Sequence, residues 1–180
     1  MKETNWDIGY ESPAVKEYID QLTDKNLRIL IPGAGSGYEA EYSFSKGFAN
    51  TYILDWVDKA MDDFRKRAEG FPAENILIED FFSHTGNYDL IIEQTFFCSL
   101  KPEMRMNYAE KIHSLLNANG KLAGVLFNFE FEKIGPPFGG SKEEYLKYFE
   151  GMFEIKTFET AYNSIKPRAG KELFMILKKK

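Results

Sequence analysis

Cys98 is the single cysteine among 180 residues, so no intrachain disulfide can form and a cysteine-based structural zinc site lacks ligands. Such a chain suits a reducing cytoplasm. There is no apolar run of about 18 residues that could cross a membrane. The opening Met1-Lys2-Glu3-Thr4-Asn5-Trp6-Asp7 lacks the apolar core of a signal peptide. A soluble protein with no membrane partner is expected. Positive charge is also scarce: 23 Lys and Arg stand against 28 Asp and Glu, net −5, which disfavours nucleic acid as a partner. Only two histidines occur, His84 and His113, far apart and without carboxylates at ligand spacing, so no metal site is expected.

What the chain does have is aromatic side chains, 16 Phe, 10 Tyr and 2 Trp, enough for a sizeable core in one domain spanning 1–180. Ser12-Pro13, followed by Ala14, Val15, Tyr18, Ile19 and Leu22, predicts a first helix with proline at its opening turn. Short apolar runs at 27–31, 52–54, 76–78 and 90–92 read as buried strands. Helices are expected between them, one from about 37 to 46 ending at Gly47, another marked by Ala60, Met61, Phe64 and Ala68. Pro102 opens a further helix carrying Met104, Tyr108, Ile112, Leu115 and Leu116, which Asn119-Gly120 breaks before a strand at 121–129. Ser141-x-x-Glu144 is a capping box for a helix through Phe149. The runs 153–162 and 172–177 can pair antiparallel at the end of the sheet. Strands alternating with helices predict a doubly wound α/β fold, its sheet mostly parallel and finished by one antiparallel strand.

The loop Pro32-Gly33-Ala34-Gly35-Ser36-Gly37 leads from a buried strand into a helix, and its glycines allow a ligand to approach the backbone closely. Asp55, ending the second strand, is placed to accept both hydroxyls of a ribose. Dinucleotide enzymes use G-x-G-x-x-G, whereas this loop is G-x-G-x-G, a spacing that suits S-adenosylmethionine, which has no phosphate. Asp80 and Glu93 follow the third and fourth strands at the same rim. Asp80 is either an acceptor for an adenine amino group, beside Phe81 and Phe82, or a helix N-cap; Glu93 is either a site group or a surface charge. Buried, apolar surroundings are expected for Cys98, and an exposed loop for His84.

These blocks, with Thr4-Asn5-Trp6-Asp7-Ile8-Gly9, Tyr88 to Cys98, Pro102-Glu103-Met104-Arg105, Gly135-Pro136-Pro137-Phe138 and Pro167-Arg168-Ala169-Gly170, resemble the thiopurine S-methyltransferase superfamily of class I S-adenosylmethionine-dependent methyltransferases. Within it they are similar to the halide and thiol methyltransferases called harmless to ozone layer proteins. The resemblance implies a Rossmann-like methyltransferase whose cofactor, S-adenosylmethionine, is held by Trp6, Gly33, Gly35, Gly37, Asp55, Trp56, Asp80, Phe81, Glu93 and Gln94. It also implies an acceptor pocket that includes Phe97, Phe138 and Arg168. Read from the residues alone, Trp6 staples the first helix, Phe138 plugs the core under its loop and Arg168 is a solvated charge.

The chain departs from the family by starting almost at Trp6, which implies a shortened lid, and by Ala34 and Phe138 where cysteine and tyrosine are common. The expected reaction is methylation of a small soft nucleophile, a thiol, another sulfur anion or a halide, by a monomer or weak dimer. The alternatives are a non-catalytic module that binds the cofactor and a methyltransferase for a different small molecule.

Overall fold

A computed structural model describes residues 8–133 and 135–180. The first helix, α1 (Pro13–Asp20), begins at its proline, but Ser12 caps it differently from expectation: its backbone N–H donates to Glu39 Oε1 at 3.0 Å and its side chain makes no capping bond. The chain continues through β1 (Ile29–Pro32), α2 (Tyr38–Ser45), β2 (Thr51–Asp55), α3 (Met61–Arg67), β3 (Ile76–Ile78) and β4 (Tyr88–Gln94). Then come α4 (Arg105–Leu115), β5 (Leu116–Phe127), α5 (Lys142–Phe149), β6 (Phe153–Thr160) and β7 (Glu172–Lys179). At α5 the capping box forms, with Ser141 Oγ accepting the Glu144 N–H at 3.3 Å.

The seven strands lie in the order β3-β2-β1-β4-β5-β7-β6, with β7 antiparallel to both neighbours and every other pairing parallel. Alternation along the buried strands sorts the core into two layers. Leu30, Leu54, Ile91 and Leu122 meet Tyr108 and Ile112 of α4 and Tyr145 and Phe149 of α5. Ile29, Ile31, Ile53 and Ile92 meet Val15 and Ile19 of α1, Ala40 of α2 and Phe64 of α3. Among the described residues no helix is long and apolar enough to cross a membrane.

Two details differ from the sequence expectation. The final strand sits inside the sheet and not at its margin, because β7 buries more of its apolar residues, while Glu154, Lys156 and Glu159 suit β6 to an exposed edge. In addition, β5 starts directly after α4. Its polar beginning is held in the sheet by Asn117, whose amide donates to Asp89 Oδ1 at 2.7 Å, while Asn119 takes φ +65°.

Strand spacing at the centre depends on one glycine. A Cβ at Gly124 would lie 1.9 Å from the Glu93 carbonyl oxygen of the neighbouring strand. Gly124→Ala is therefore expected to lose about 3 kcal/mol by overpacking. Scanning calorimetry should show the unfolding midpoint lowered by roughly 6–12 °C.

Candidate functional site

The chain leaves β1 for β2 and β3 on one side, then returns to β4 on the other, and this reversal opens a crevice at the carboxyl ends of the strands. A cleft of about 870 Å³ lies there, within the usual size of small-ligand sites. Gly33 to Ser36, Asp55 to Val57, Glu79 to Phe82 and Gln94 to Phe96 line it, together with Pro136 and Pro137.

The three loop glycines serve three different ends. Gly33, at φ +60°, donates its N–H to Leu54 O at 2.8 Å, and a Cβ there would sit 2.2 Å from the Phe96 ring. Gly35, at φ +51°, has open space where a Cβ would stand and donates its N–H to Asp55 Oδ2 at 3.0 Å. Gly37 caps α2 in the left-handed conformation and packs on Phe64, which a Cβ would meet at 2.5 Å. It is not part of the cleft lining, so its place is in helix packing.

Asp55 stands where β2 ends, as expected. Its carboxylate accepts from the Gly35 and Val57 backbone N–H groups, one on each oxygen. An ionised carboxylate offers about four acceptor positions, so capacity remains for two hydroxyls. Trp56, 79% exposed, stands on the rim. Asp80 satisfies both of its readings at once: it lines the cleft, and its Oδ2 accepts from the Ser83 N–H (3.1 Å) and hydroxyl (2.9 Å). Phe81 is buried, with its ring against Phe82, Phe96 and Tyr108.

Glu93 and Gln94 were both expected on the cofactor, but neighbours on a strand point to opposite faces and only one can be there. Gln94 lines the cleft, and its Oε1 is buried without a hydrogen-bond partner. Glu93 points the other way, 0% exposed. It accepts the Phe96 N–H at 2.8 Å, the Phe97 N–H at 2.9 Å and the Tyr108 hydroxyl at 2.5 Å. Burial pushes its carboxyl up to about 7, against the lowering effect of those hydrogen bonds.

The expected acceptor residues lie elsewhere. Phe97 is core, 1% exposed, among Tyr108, Tyr145 and Phe149. Phe138 donates its backbone N–H to Cys98 O at 2.7 Å, but from its loop it is Pro136 and Pro137 that reach the cleft. Arg168 is buried rather than solvated, 3.3 Å from Glu172 Oε1 and with its guanidinium over the Phe127 ring. Trp6 lies outside the described residues. Cys98 is buried as expected. Its thiol donates to Thr95 O at 3.1 Å, and burial raises its pKa, which leaves it a poor nucleophile.

Two residues near the cleft escaped the sequence reading. His84 is buried, not exposed, held between Glu79 Oε1 and the Tyr88 hydroxyl at 2.8 Å each. Arg105, 1% exposed, reaches Glu144 Oε1 at 2.6 Å and Gly139 O at 2.7 Å between the rings of Phe97 and Tyr145. The signal for Arg105 was its position three residues before Tyr108, on the same helix face.

A bound S-adenosyl group fits these residues: a backbone cradle at Gly33 and Gly35 that side chains would fill, remaining acceptor capacity on Asp55, and the unpartnered amide oxygen of Gln94. The comparisons with known proteins agree. The sequence pattern of the thiopurine S-methyltransferase family matches residues 1–178. A probable thiol methyltransferase 2 of Arabidopsis thaliana is 29% identical over 175 residues, covering 94% of this chain and 77% of the relative. Thiocyanate methyltransferase 1 of Brassica oleracea is 28% identical over 178 residues, with the same coverage of 94% and 77%. Among solved structures, magnesium protoporphyrin IX methyltransferase of Synechocystis PCC 6803 with bound S-adenosylmethionine superimposes with a TM-score of 0.73. It is 15% identical and covers 93% of this chain and 77% of that one, a likeness of fold. The chain belongs to the thiopurine S-methyltransferase family and is an S-adenosylmethionine-dependent methyltransferase.

Proposed function

We propose that the enzyme methylates a small, soft nucleophile, a thiol or a comparable sulfur or halide anion. The observation that carries this reading is the wall on the β4 side of the cleft, where Phe96, Leu100, Met104, Pro136 and Pro137 are all apolar. Among the described lining residues the cation is Lys59, which follows β2 on the opposite side. A strongly hydrated oxyanion would lose its water there without compensation, whereas a polarisable sulfur loses little. The net charge of −5 also favours a small acceptor over a nucleic acid. The relatives named as thiol and thiocyanate methyltransferases support the same class.

S-adenosylmethionine, when bound, supplies an electrophilic methyl on a sulfonium. Gly33 and Gly35 would take its amino-acid portion along their exposed backbone, Asp55 its ribose hydroxyls, and Asp80 with Phe81 and Phe82 its adenine. The rings of Phe81, Phe82 and Phe96 offer a cationic group roughly 0.5–2 kcal/mol of attraction. The same rings exclude water and keep the acceptor in line. No general base is required of the chain, because a thiol of pKa about 8.5 is a few per cent thiolate at neutral pH.

Calorimetric titration with S-adenosylhomocysteine should show binding by the wild type and about 10- to 100-fold weaker binding by Asp55→Ala, the usual loss for hydrogen bonds to a charged group. Radiolabelled methyl transfer to aryl thiols, hydrosulfide, thiocyanate and iodide would then identify the acceptor. Binding without transfer to any of them would refute the soft-nucleophile reading.

A further inference from the structure

Thr95 follows β4 at φ +60°, a conformation that a β-branched residue adopts only under constraint. The constraint comes from Glu93. One carboxylate oxygen gathers the N–H groups of Phe96 and Phe97, closing the chain back on itself, while the other is fixed by the Tyr108 hydroxyl of α4. Thr95 completes the turn, its hydroxyl donating to Gln94 O at 2.7 Å and its carbonyl accepting the Cys98 thiol. The turn delivers two parts of the cleft: the Phe96 ring lying against Gly33, and the Gln94 amide with its unpartnered oxygen.

We propose that Glu93 is a positioning residue for the cofactor: without lining the cleft, its ionised carboxylate assembles the turn that presents Gln94 and Phe96. The inference rests on the cofactor reading given above. The charge matters because all three partners are donors. Two are backbone N–H groups that can do nothing else, and the third is a phenol. A proton on the carboxylate would face the Tyr108 hydroxyl donor to donor, in a place without water to accept either hydrogen.

The groups around Glu93 leave the carboxylate as the one to titrate near neutrality. Burial pushes its pKa up to about 7. Tyr108 on α4 and Cys98 in the following turn are pushed upward by burial and stay neutral. Glu172 at the start of β7 shares a small cavity of about 10 Å³ with Glu93, and Arg168 is paired with it. Arg105, also on α4, is turned toward Glu144. The neighbouring strand β5 presents the backbone of Gly124, and β1 presents apolar Leu30 and Ile31.

The test is calorimetric titration of S-adenosylhomocysteine from about pH 6 to about pH 8.5, with thermal unfolding recorded at each pH. If binding requires the ionised form, wild-type affinity falls about tenfold per pH unit below the midpoint. Glu93→Gln should bind weakly with no dependence on pH across this range. Tyr108→Phe removes a hydrogen bond that lowers the Glu93 pKa, so its midpoint should move to higher pH. A wild-type profile retained in Glu93→Gln, or an unmoved midpoint in Tyr108→Phe, would overturn the role. Failure of the wild type to bind at about pH 8.5 would overturn the cofactor reading and this inference with it.

Discussion

Replacing Gly33 by alanine is expected to weaken cofactor binding about a hundredfold, close to 2.7 kcal/mol. Two effects combine at this position. A non-glycine residue at φ +60° costs roughly 1–2 kcal/mol, and the new Cβ would stand 2.2 Å from the Phe96 ring. The ring has to move, and it forms a wall of the cleft that the loop faces. Gly35→Ala provides the comparison, because its φ is similar but nothing lies within 4 Å of the added carbon, so a smaller loss is expected. Gly37→Ala should instead lower thermal stability, since its clash is with Phe64 in the core, and leave affinity comparatively intact. Titration with S-adenosylhomocysteine and scanning calorimetry on the three variants read both quantities. Equal losses of affinity at Gly33 and Gly35 would contradict the assignment of Phe96 as the decisive neighbour.

Arg105→Met should lower stability by about 3 kcal/mol and the unfolding midpoint by roughly 6–12 °C. The guanidinium joins α4 to Glu144 of α5 and to Gly139 O, and it lies about 5 Å from the ring centres of Phe97 and Tyr145. Breaking a buried pair usually costs 3–5 kcal/mol, but the Glu144 side chain keeps about a third of its exposure and would be partly hydrated afterwards, which places the loss at the lower end. Gly139 belongs to the loop whose Pro136 and Pro137 line the acceptor side of the cleft. The acceptor KM should therefore rise while affinity for S-adenosylhomocysteine changes little. Arg105→Lys should not restore it, because an ammonium cannot reproduce the planar fork that spans both oxygens. An unchanged acceptor KM in the folded variant would count against this coupling.

The alternation of strands and helices was legible because local signals mark it. Pro13 opens α1, Gly47 follows the end of α2, and Ser141 with Glu144 sets the start of α5. Asp55 and the glycine loop were legible for the same reason, since a strand end followed by a glycine turn places both at the sheet's carboxyl edge. The opposite faces of Glu93 and Gln94 are likewise dictated locally, by the two-residue period of a strand. Other placements have no local signature. Phe97 enters the core through contacts with α4 and α5, Phe138 is turned by its loop toward Cys98 O, and Arg168 is drawn in by Glu172 and the Phe127 ring. The burial of His84 depends on Tyr88 closing over a loop that is polar in sequence. The interior position of β7 reflects a difference in burial against β6 that emerges only when both strands compete for the same neighbour.

The burial of Glu93 sets heat resistance against binding. Its folded-state pKa, about 7, lies above the ordinary value of 4.5, so its contribution to stability is fully present below pH 4.5 and is lost as the pH rises through 7. Over that window the folded state gives up on the order of 3 kcal/mol. The protein is thus less stable in the form that holds the cofactor wall together. Selection for thermal tolerance at mildly alkaline pH would draw substitutions to position 93 and return robust chains with a poorly formed site. A stabilisation campaign on this enzyme therefore has to hold that residue constant and seek its gains on the outer faces of the sheet.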